Sequence, residues 1–216
     1  MQVLLLVDIQ NDFVPGGALA VPDGDQVISV ANALIPRFEL VVATKDWHPA
    51  DHGSFARQHP NHKIGDVIDL HGLQQILWPD HCIQNTAGAE FVETLDTDDI
   101  DRVFFKGTDA DIDSYSGIFD NGRRKATGLG EYLRESGIRD VYVMGLATDY
   151  CVKFTVLDAL DLGFHVHVIE DGCRGVDLKP GDSARAIEEM RKEGAYIVRS
   201  DQIARRGRVG PSQPEV

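Results

Sequence analysis

Short apolar runs that alternate with helical patterns constrain the fold of this chain more than any other feature of its sequence. Each run ends in polar or glycine residues, and strands that are apolar throughout are typical of a parallel sheet that is buried on both faces. We therefore predict an α/β protein with three layers, α/β/α, in which helices cover both faces of a mostly parallel sheet of about six strands. The predicted strands are residues 3–7, 40–44, 102–106, 141–145, 165–169 and 196–199.

Four helical patterns lie between these runs. The first follows Asp25, repeats apolar residues with helical spacing from Val27, and closes at Pro36. The others are predicted at residues 129–136, 150–162 and 182–193, and a glycine follows each of them. The segment from residue 47 to about 101 breaks the alternation and is too long for an ordinary connection, so we predict a functional loop there.

The length of 216 residues suits one domain with a sizeable core. We predict a single domain over residues 1–202, with a metal-binding loop region at about 46–100. Residues 203–216 are predicted to be a flexible C-terminal tail, since glycine and proline punctuate them. The tail contains the basic cluster Arg205-Arg206-Gly207-Arg208.

The charge balance and the cysteines limit the partners and the compartment. The chain has 21 basic and 35 acidic residues, a net charge of −14, which repels phosphate backbones and anionic membrane surfaces. We therefore expect neither nucleic acid nor a membrane as a partner, whereas a homo-oligomer stays open. The start of the chain lacks the features of a signal peptide or a membrane span. Three cysteines without regular spacing indicate reduced thiols and a cytoplasmic protein.

A cluster of potential metal ligands closes the second predicted strand. Asp46 and His48 are two residues apart, so an extended backbone points them to the same side, and Pro49 turns the chain so that His52 can return towards them. His81 is a fourth candidate. Imidazole nitrogens and carboxylate oxygens at about 2 Å suit a borderline-soft divalent cation. Metal binding is therefore favoured over the alternative, a polar loop whose histidines solvate a strand end.

Cys151 is the candidate nucleophile, because it follows a predicted strand and opens a helix. Thr148 and Asp149 are good N-cap residues, which puts the thiol in the first helical turn. The positive helix end there lowers a thiol pKa, and free N–H groups can form an oxyanion hole. From these residues alone, a small buried structural cysteine is an equal alternative. Cys82 and Cys173 are interpreted as structural thiols.

A thiol nucleophile needs a base, and Asp8 is the candidate. It closes a strongly apolar strand, where an acid is costly unless it is paired. Lys106 closes another strand, and beside Asp8 it would keep the carboxylate ionised and favour the thiolate. The alternatives are a capped strand end for Asp8 and an edge lysine for Lys106. The chemistry requires the strands that end at Asp8, Lys106 and Cys151 to be neighbours.

With these residues in view, the chain resembles the nicotinamidases of the isochorismatase-like cysteine hydrolase family. The resemblance runs over nearly the whole chain. It rests on five segments: LLLVDIQNDFVPGGALAV, KDWHPADHGSF, WPDHCIQNTAGAE, FFKGTDADIDSYSGIFDN and VMGLATDYCVKFTVLDAL. The first and last are typical of the wider superfamily, and the combination of DWHP, WPDHC and DSYS points to nicotinamidase.

The resemblance implies a catalytic triad of Asp8, Lys106 and Cys151. It also implies a cis peptide between Leu146 and Ala147, with the backbone N–H groups of Ala147 and Cys151 forming the oxyanion hole.

The resemblance further implies that Asp46, His48 and His81 bind a divalent metal ion, with His52 as a fourth ligand in some members of the family. Zinc is expected first, and iron and manganese are the alternatives.

In the substrate pocket, the resemblance implies that Phe13 and Trp78 sandwich the pyridine ring, with Tyr115 and Ala147 beside it. The implied activity is the deamidation of nicotinamide to nicotinate and ammonia through a thioester, in NAD salvage. Pyrazinamide is a further expected substrate. Three alternatives stay open: a related hydrolase acting on a carbamoyl amide, ureidoacrylate or isochorismate, a metal-dependent hydrolase with a structural Cys151, and a non-enzymatic metal- or redox-binding protein.

Overall fold

Six strands of the chain form one sheet, and two more form a separate hairpin. The computed structural model describes residues 1–204. Its strands are β1 Gln2–Val7, β2 Val41–Asp46, β3 Val67–Leu70, β4 Leu73–Ile76, β5 Arg102–Lys106, β6 Asp140–Leu146, β7 His165–Arg174 and β8 Tyr196–Val198. The large sheet has the order β5-β2-β1-β6-β7-β8, and all its pairings are parallel. The strands β3 and β4 pair antiparallel.

Helices cover the sheet. They are α1 Gln26–Leu34, α2 Leu129–Glu135, α3 Lys153–Asp161 and α4 Asp182–Lys192, with a π-helical turn at Thr148–Val152 before α3. Helix α1 packs against β6 and β7, while α3 and α4 pack against each other and against β7 and β8 respectively. Residues 3–7 of the central strand β1 are fully buried, which requires cover on both faces of the sheet. The predicted three-layer α/β/α architecture is confirmed.

The largest departures from the predicted elements are two longer strands and an additional hairpin. Strand β2 continues through Asp46, and β7 continues to Arg174. The predicted loop after β2 contains the β3–β4 hairpin, whose two-residue turn, His71-Gly72, has positive φ at both residues. Such turns are usually marked by Asn-Gly or Asp-Gly, and His-Gly carries no comparable signal, so the pattern gave no indication of a hairpin.

The strand order decides which side chains meet at the carboxyl edge of the sheet. Strand β1 lies between β2 and β6, so Val7 is in register with Thr44 on one side and Gly145 on the other. Strand β5 is separated from β1 by β2, and Asp46 is in register with Lys106. The expectation that the strands of Asp8, Lys106 and Cys151 are all neighbours was therefore wrong for β5.

The predicted C-terminal tail falls mostly outside the described part of the chain. Ile203 is buried, and its carbonyl oxygen accepts a hydrogen bond from Arg37 at 3.1 Å. Residues 205–216, with the basic cluster, are not among the described residues. Within residues 1–204, the helices are all too short or too polar to span a bilayer.

Leu5 tests how far the buried central strand carries the stability of the fold. Replacing Leu5, which is fully buried, with alanine is expected to lower the free energy of unfolding by about 2–5 kcal/mol, because it leaves a cavity between two packed layers. The measurement is urea unfolding followed by circular dichroism. Val67→Ala is the control, since that side chain is 55% exposed and should change stability by less than about 0.5 kcal/mol. Equal stability of both variants would contradict the buried position of β1.

Candidate active site

Four strand ends bring the predicted catalytic and metal-binding residues to one edge of the sheet. Asp8 follows β1, Asp46 and Lys106 are the last residues of β2 and β5, and Cys151 lies in the turn after β6. All four residues are buried, none with more than 7% of its surface exposed. The carboxyl edge of an open parallel sheet is where such folds bind ligands.

Lys106 lies at the centre of this group. Its ammonium donates hydrogen bonds to Asp46 Oδ1 at 2.9 Å, to the Ser114 carbonyl oxygen at 3.0 Å and to Cys151 Sγ at 3.3 Å. Asp8 Oδ2 is a fourth neighbour, 2.9 Å from Nζ. Burial by itself lowers the pKa of Lys106, but the carboxylates of Asp46 and Asp8 outweigh it and raise this pKa well above its usual range. The lysine is therefore a permanent cation between two carboxylates and the sulfur.

Asp8 and Cys151 form the pair between which a proton can move. A carboxylate oxygen of Asp8 and the sulfur of Cys151 lie within 4.8 Å of each other, and Asp8 Oδ1 accepts a hydrogen bond from Thr44 Oγ1 at 2.6 Å. Burial raises the pKa of both groups, and the charge of Lys106 opposes the rise in each case. The expectation of a lowered pKa for Cys151 was wrong, because desolvation and the nearby carboxylates outweigh the helix end and Lys106.

The turn that carries Cys151 differs from the predicted helix start. Its residues Thr148–Val152 are π-helical, and the N-cap position is Ala147, which follows a cis peptide bond with Leu146. The N–H groups of Tyr150 and Val152 both donate to the Ala147 carbonyl oxygen at 3.1 Å. No side chain caps this turn, so the predicted N-cap roles of Thr148 and Asp149 were wrong. Cys151 nevertheless lies at the start of the helical segment, as expected.

The predicted metal ligands Asp46, His48 and His81 converge. Asp46 Oδ2 lies 3.3 Å from His48 Nε2 and 3.6 Å from His81 Nε2. Each histidine has its other ring nitrogen 2.8–2.9 Å from a backbone carbonyl oxygen, that of Gly107 for His48 and that of Pro79 for His81. A carbonyl only accepts hydrogen bonds, so Nδ1 carries the proton in both rings and Nε2 presents a lone pair towards the shared point.

His52 lies beside this group but has the opposite tautomer. Its ring is 4.2 Å from that of His48, between centroids. The backbone N–H of Ser54 donates to His52 Nδ1 at 3.2 Å, and the Ser54 hydroxyl is 2.7 Å from the same nitrogen. With Nδ1 as acceptor, the proton of the neutral ring sits on Nε2, which, like His48 Nε2, is buried without a hydrogen-bond partner among the described residues. In this tautomer Nε2 offers a metal ion no lone pair. Burial lowers the pKa of His52 to about 4, so the ring is neutral.

The residues of this cluster fit a divalent cation. Within the described part of the chain, His48 Nε2 is a buried nitrogen without a hydrogen-bond partner, and it faces a carboxylate and a second imidazole. Asp113 adds a further buried carboxylate close to His48 and His52. At this site the buried carboxylates of Asp8, Asp46 and Asp113 outnumber the ammonium of Lys106, and a cation with two charges would balance them.

A small cavity has Cys151 among its lining residues. It is lined by the predicted pocket residues Phe13, Trp78, Tyr115 and Ala147 together with Asp46 and His81. The structure therefore brings the predicted nucleophile, pocket and metal ligands to one cavity. A larger groove lies on the outer side of Tyr115 and Tyr150, away from the sulfur.

Four lining residues were not predicted, namely Leu19, Asp113, Tyr150 and Val176. Asp113 lies in the segment FFKGTDADIDSYSGIFDN, whose several acids give no sign of which one turns inward. Its Oδ2 accepts a hydrogen bond from Gln75 Nε2 at 2.9 Å, and its Oδ1 one from the N–H of Ser114 at 2.8 Å. Tyr150 precedes the candidate nucleophile, which was a usable signal for a pocket residue. Leu19 and Val176 carry no such signal.

Comparison with known proteins agrees with this geometry. The isochorismatase domain model matches residues 2–202. The nicotinamidase of Escherichia coli K12 is 56% identical over 200 residues, which cover 91% of this chain and 93% of that protein. The structure of an Acinetobacter baumanii nicotinamidase/pyrazinamidase superposes with a TM-score of 0.91 at 45% identity, covering 94% of this chain and 98% of the other. A Pyrococcus horikoshii pyrazinamidase in complex with zinc superposes with a TM-score of 0.75 at 42% identity, covering 92% and 98%.

The chain belongs to the isochorismatase family. Within that family, the relatives named above carry nicotinamidase or pyrazinamidase activity in their names, and their similarity extends over nearly the whole length of this chain.

The opposite tautomers of His48 and His52 lead to a prediction about metal binding. His48→Ala should lower the affinity for zinc at least about 100-fold, because it removes a lone pair at the shared point. His52→Ala should retain the metal at unchanged stoichiometry and lower the affinity by less than about tenfold, since its Nε2 carries a proton. The measurements are metal content by mass spectrometry and titration calorimetry on the stripped proteins. His62→Ala, a change at a partly exposed imidazole outside the cluster, is the control. Loss of the metal in His52→Ala would show that the ring flips or changes tautomer to become a ligand.

Proposed function

We propose that this protein hydrolyses the carboxamide of nicotinamide to nicotinate and ammonia, through a thioester on Cys151. The observation that carries the proposal is the contact of a buried Asp8–Lys106–Cys151 group with a cavity lined by Phe13, Trp78 and further aromatic residues. A flat aromatic amide matches such a cavity. Nicotinamidases of 56% and 42% identity support the same substrate.

The first half-reaction transfers the acyl group to sulfur. With the pyridine ring between Phe13 and Trp78, Asp8 accepts the thiol proton of Cys151, and the sulfur attacks the carboxamide carbon. The backbone N–H groups of Ala147 and Cys151 stabilise the oxyanion, an effect typically worth about 3–4 kcal/mol per donor. Asp8 then returns the proton to the departing nitrogen, so that ammonia leaves and a thioester remains. Lys106 keeps the sulfur and the carboxylate in place and favours the thiolate by its charge.

The second half-reaction consumes one water molecule. Asp8, again a carboxylate, removes a proton from the water, whose oxygen attacks the thioester carbon. The same backbone N–H groups stabilise the second oxyanion. The C–S bond then breaks, Asp8 gives its proton to the departing sulfur, and nicotinic acid loses its own proton to solvent or to the released ammonia. Nicotinate and the Cys151 thiol remain, and Asp8 is again a carboxylate.

Asp46, His48 and His81 would hold the divalent ion of this site. When bound, such an ion supplies a Lewis-acid contact for the ring nitrogen of the substrate. We propose zinc as this ion, with iron and manganese as alternatives, and the zinc complex of the similar Pyrococcus horikoshii pyrazinamidase supports that choice.

We also propose that residues 1–202 act as one catalytic domain, with residues 46–100 as its metal-binding region. A cytoplasmic location is part of the proposal, because the three cysteines are free thiols.

Replacing the nucleophile tests the reaction. Cys151→Ala should lower kcat for nicotinamide at least about 10³-fold, because no other group in the cavity can form the thioester. Metal content should stay as in the parent protein, since the sulfur is not one of the proposed ligands. Cys173→Ala is the matched control, because that thiol is also buried but donates to the carbonyl of Ile169 outside the cavity. The assay is ammonia release from nicotinamide, pyrazinamide, an N-carbamoyl amide and ureidoacrylate. Substantial activity of Cys151→Ala, or preference for the last two substrates, would contradict the proposal.

Asp8→Asn tests the base separately from the nucleophile. The amide keeps the shape of the carboxylate but cannot accept the thiol proton, so kcat should fall by about 10²–10⁴-fold. The rate at which iodoacetamide alkylates Cys151 should fall as well, which is a readout independent of turnover. Asp201→Asn, a change at an exposed carboxylate, is the control and should leave both rates unchanged. Unaltered alkylation in Asp8→Asn together with unaltered turnover would remove Asp8 from the role of base.

A further inference from the structure

Asp149 is a buried carboxylate that the proposed reaction does not use. It lies in the turn Thr148–Val152, two residues before Cys151, and only 6% of it is exposed. Its side chain does not cap its own turn. Instead, Oδ1 accepts a hydrogen bond from the N–H of Val176 at 2.9 Å, and Oδ2 accepts one from the N–H of Asp177 at 2.8 Å. The carboxylate thus reaches across to the loop between β7 and α4.

That loop forms part of the wall of the catalytic cavity. Val176 lines the cavity, together with Cys151 and the aromatic residues. The preceding residue, Gly175, passes so close to its neighbours that a Cβ there would lie 1.7 Å from Ser183 Oγ and 3.1 Å from Asp149 Oδ1. The loop therefore runs through a narrow gap between the Cys151 turn and the start of α4.

The far side of the loop is tied to α4. Asp177 has a positive φ of 49°, and its carboxylate accepts hydrogen bonds from the N–H of Ser183 at 2.8 Å and the hydroxyl of Ser183 at 2.7 Å. Two carboxylates in series thus connect the Cys151 turn to the loop and the loop to α4. Each hydrogen bond to an ionised acceptor is stronger than one between neutral groups.

We propose that Asp149 is a positioning residue that holds Val176 against the cavity and thereby sets the width of the slot for a planar aromatic amide. This inference rests on the proposed amide hydrolysis at Cys151. Asp149 touches no reacting atom, and the Cys151 turn keeps its own bonds from Tyr150 and Val152 to the Ala147 carbonyl. Loosening the loop therefore weakens the binding of ground state and transition state alike, which appears in KM rather than in kcat.

Asp149→Asn is the principal test. The amide oxygen can still accept one N–H, but the amide nitrogen turns a donor towards the other, so one hydrogen bond is lost and two donors face each other. KM for nicotinamide should rise about tenfold with kcat within about threefold, the size expected for one buried hydrogen bond. The amide hydrogens of Val176 and Asp177, followed by NMR, should exchange at least about tenfold faster. Asp161→Asn is the matched control, because it makes the same change on α3 at an exposed side chain that pairs with Arg123.

Val176→Ala tests the side chain that lines the cavity separately from the hydrogen bonds that Asp149 accepts from the loop. It keeps the backbone N–H bond to Asp149 but removes the side chain that lines the cavity, so KM should rise while amide exchange in the loop stays at the parent rate. It also keeps the test decisive if Asp149→Asn does not fold, since an unchanged KM in Val176→Ala overturns the proposal. A loss of kcat alone in Asp149→Asn, or unchanged exchange at Val176 and Asp177, overturns it as well. If the parent protein releases no ammonia from any amide, the proposed function fails, whereas the exchange rates still decide whether Asp149 holds the loop.

Discussion

The ammonium of Lys106 is the interaction on which the rest of the site depends. It is buried at the end of β5, and without it the carboxylates of Asp8 and Asp46 would face each other in a medium that screens charge poorly. Removing one partner of such a group leaves an uncompensated buried charge, which is far more costly than losing a surface ion pair. The lysine is possible here because β2 separates β5 from β1, and a long side chain is needed to cross that distance. A lysine at the end of β5 can therefore reach Asp8 although the two strands are not neighbours.

Asp46 joins the two halves of the site. Its Oδ1 accepts a hydrogen bond from Lys106, while its Oδ2 faces the unprotonated nitrogens of His48 and His81. Burial alone raises the pKa of Asp46, but the adjacent ammonium of Lys106 opposes this rise, the pKa lies well below its usual range, and the carboxylate stays charged. Asp46 would therefore hold such a cation together with His48 and His81 while its other oxygen keeps the hydrogen bond from Lys106. The nucleophile and the metal ligands are therefore one electrostatic unit.

The sequence predicted the elements that have strong periodic signals and the residues at strand ends, where a polar side chain after an apolar run is conspicuous. The large sheet, the four helices and the choice of Asp8, Lys106 and Cys151 as candidates follow from that logic, whereas their grouping as a triad was implied by the family resemblance. Strand order could not be predicted, because the apolar runs are similar in length and do not indicate which strands pair with each other. The π-helical turn and the outward reach of Asp149 were missed since Thr-Asp before a helix is also a good cap. The inward side chain of Asp113 was missed because it lies among other acids, and it accepts a hydrogen bond from Gln75 of the unpredicted hairpin.

Some of the acidic residues of this chain hold loops in place around the cavity, a role that the net charge does not show. Several carboxylates hold backbone N–H groups of the loops that surround the cavity: Asp12 accepts from Ala18 and Cys82, and Asp149 accepts from the loop after β7. Loops rarely pack tightly enough to hold a fixed wall by apolar contacts, whereas one carboxylate can bind two N–H groups from a distant segment. The proposed reacting groups thus lie at or just beyond strand ends, and carboxylates such as Asp12 and Asp149 hold the loops around the cavity. A few of the acidic residues of this chain therefore serve the walls of the cavity rather than the surface charge.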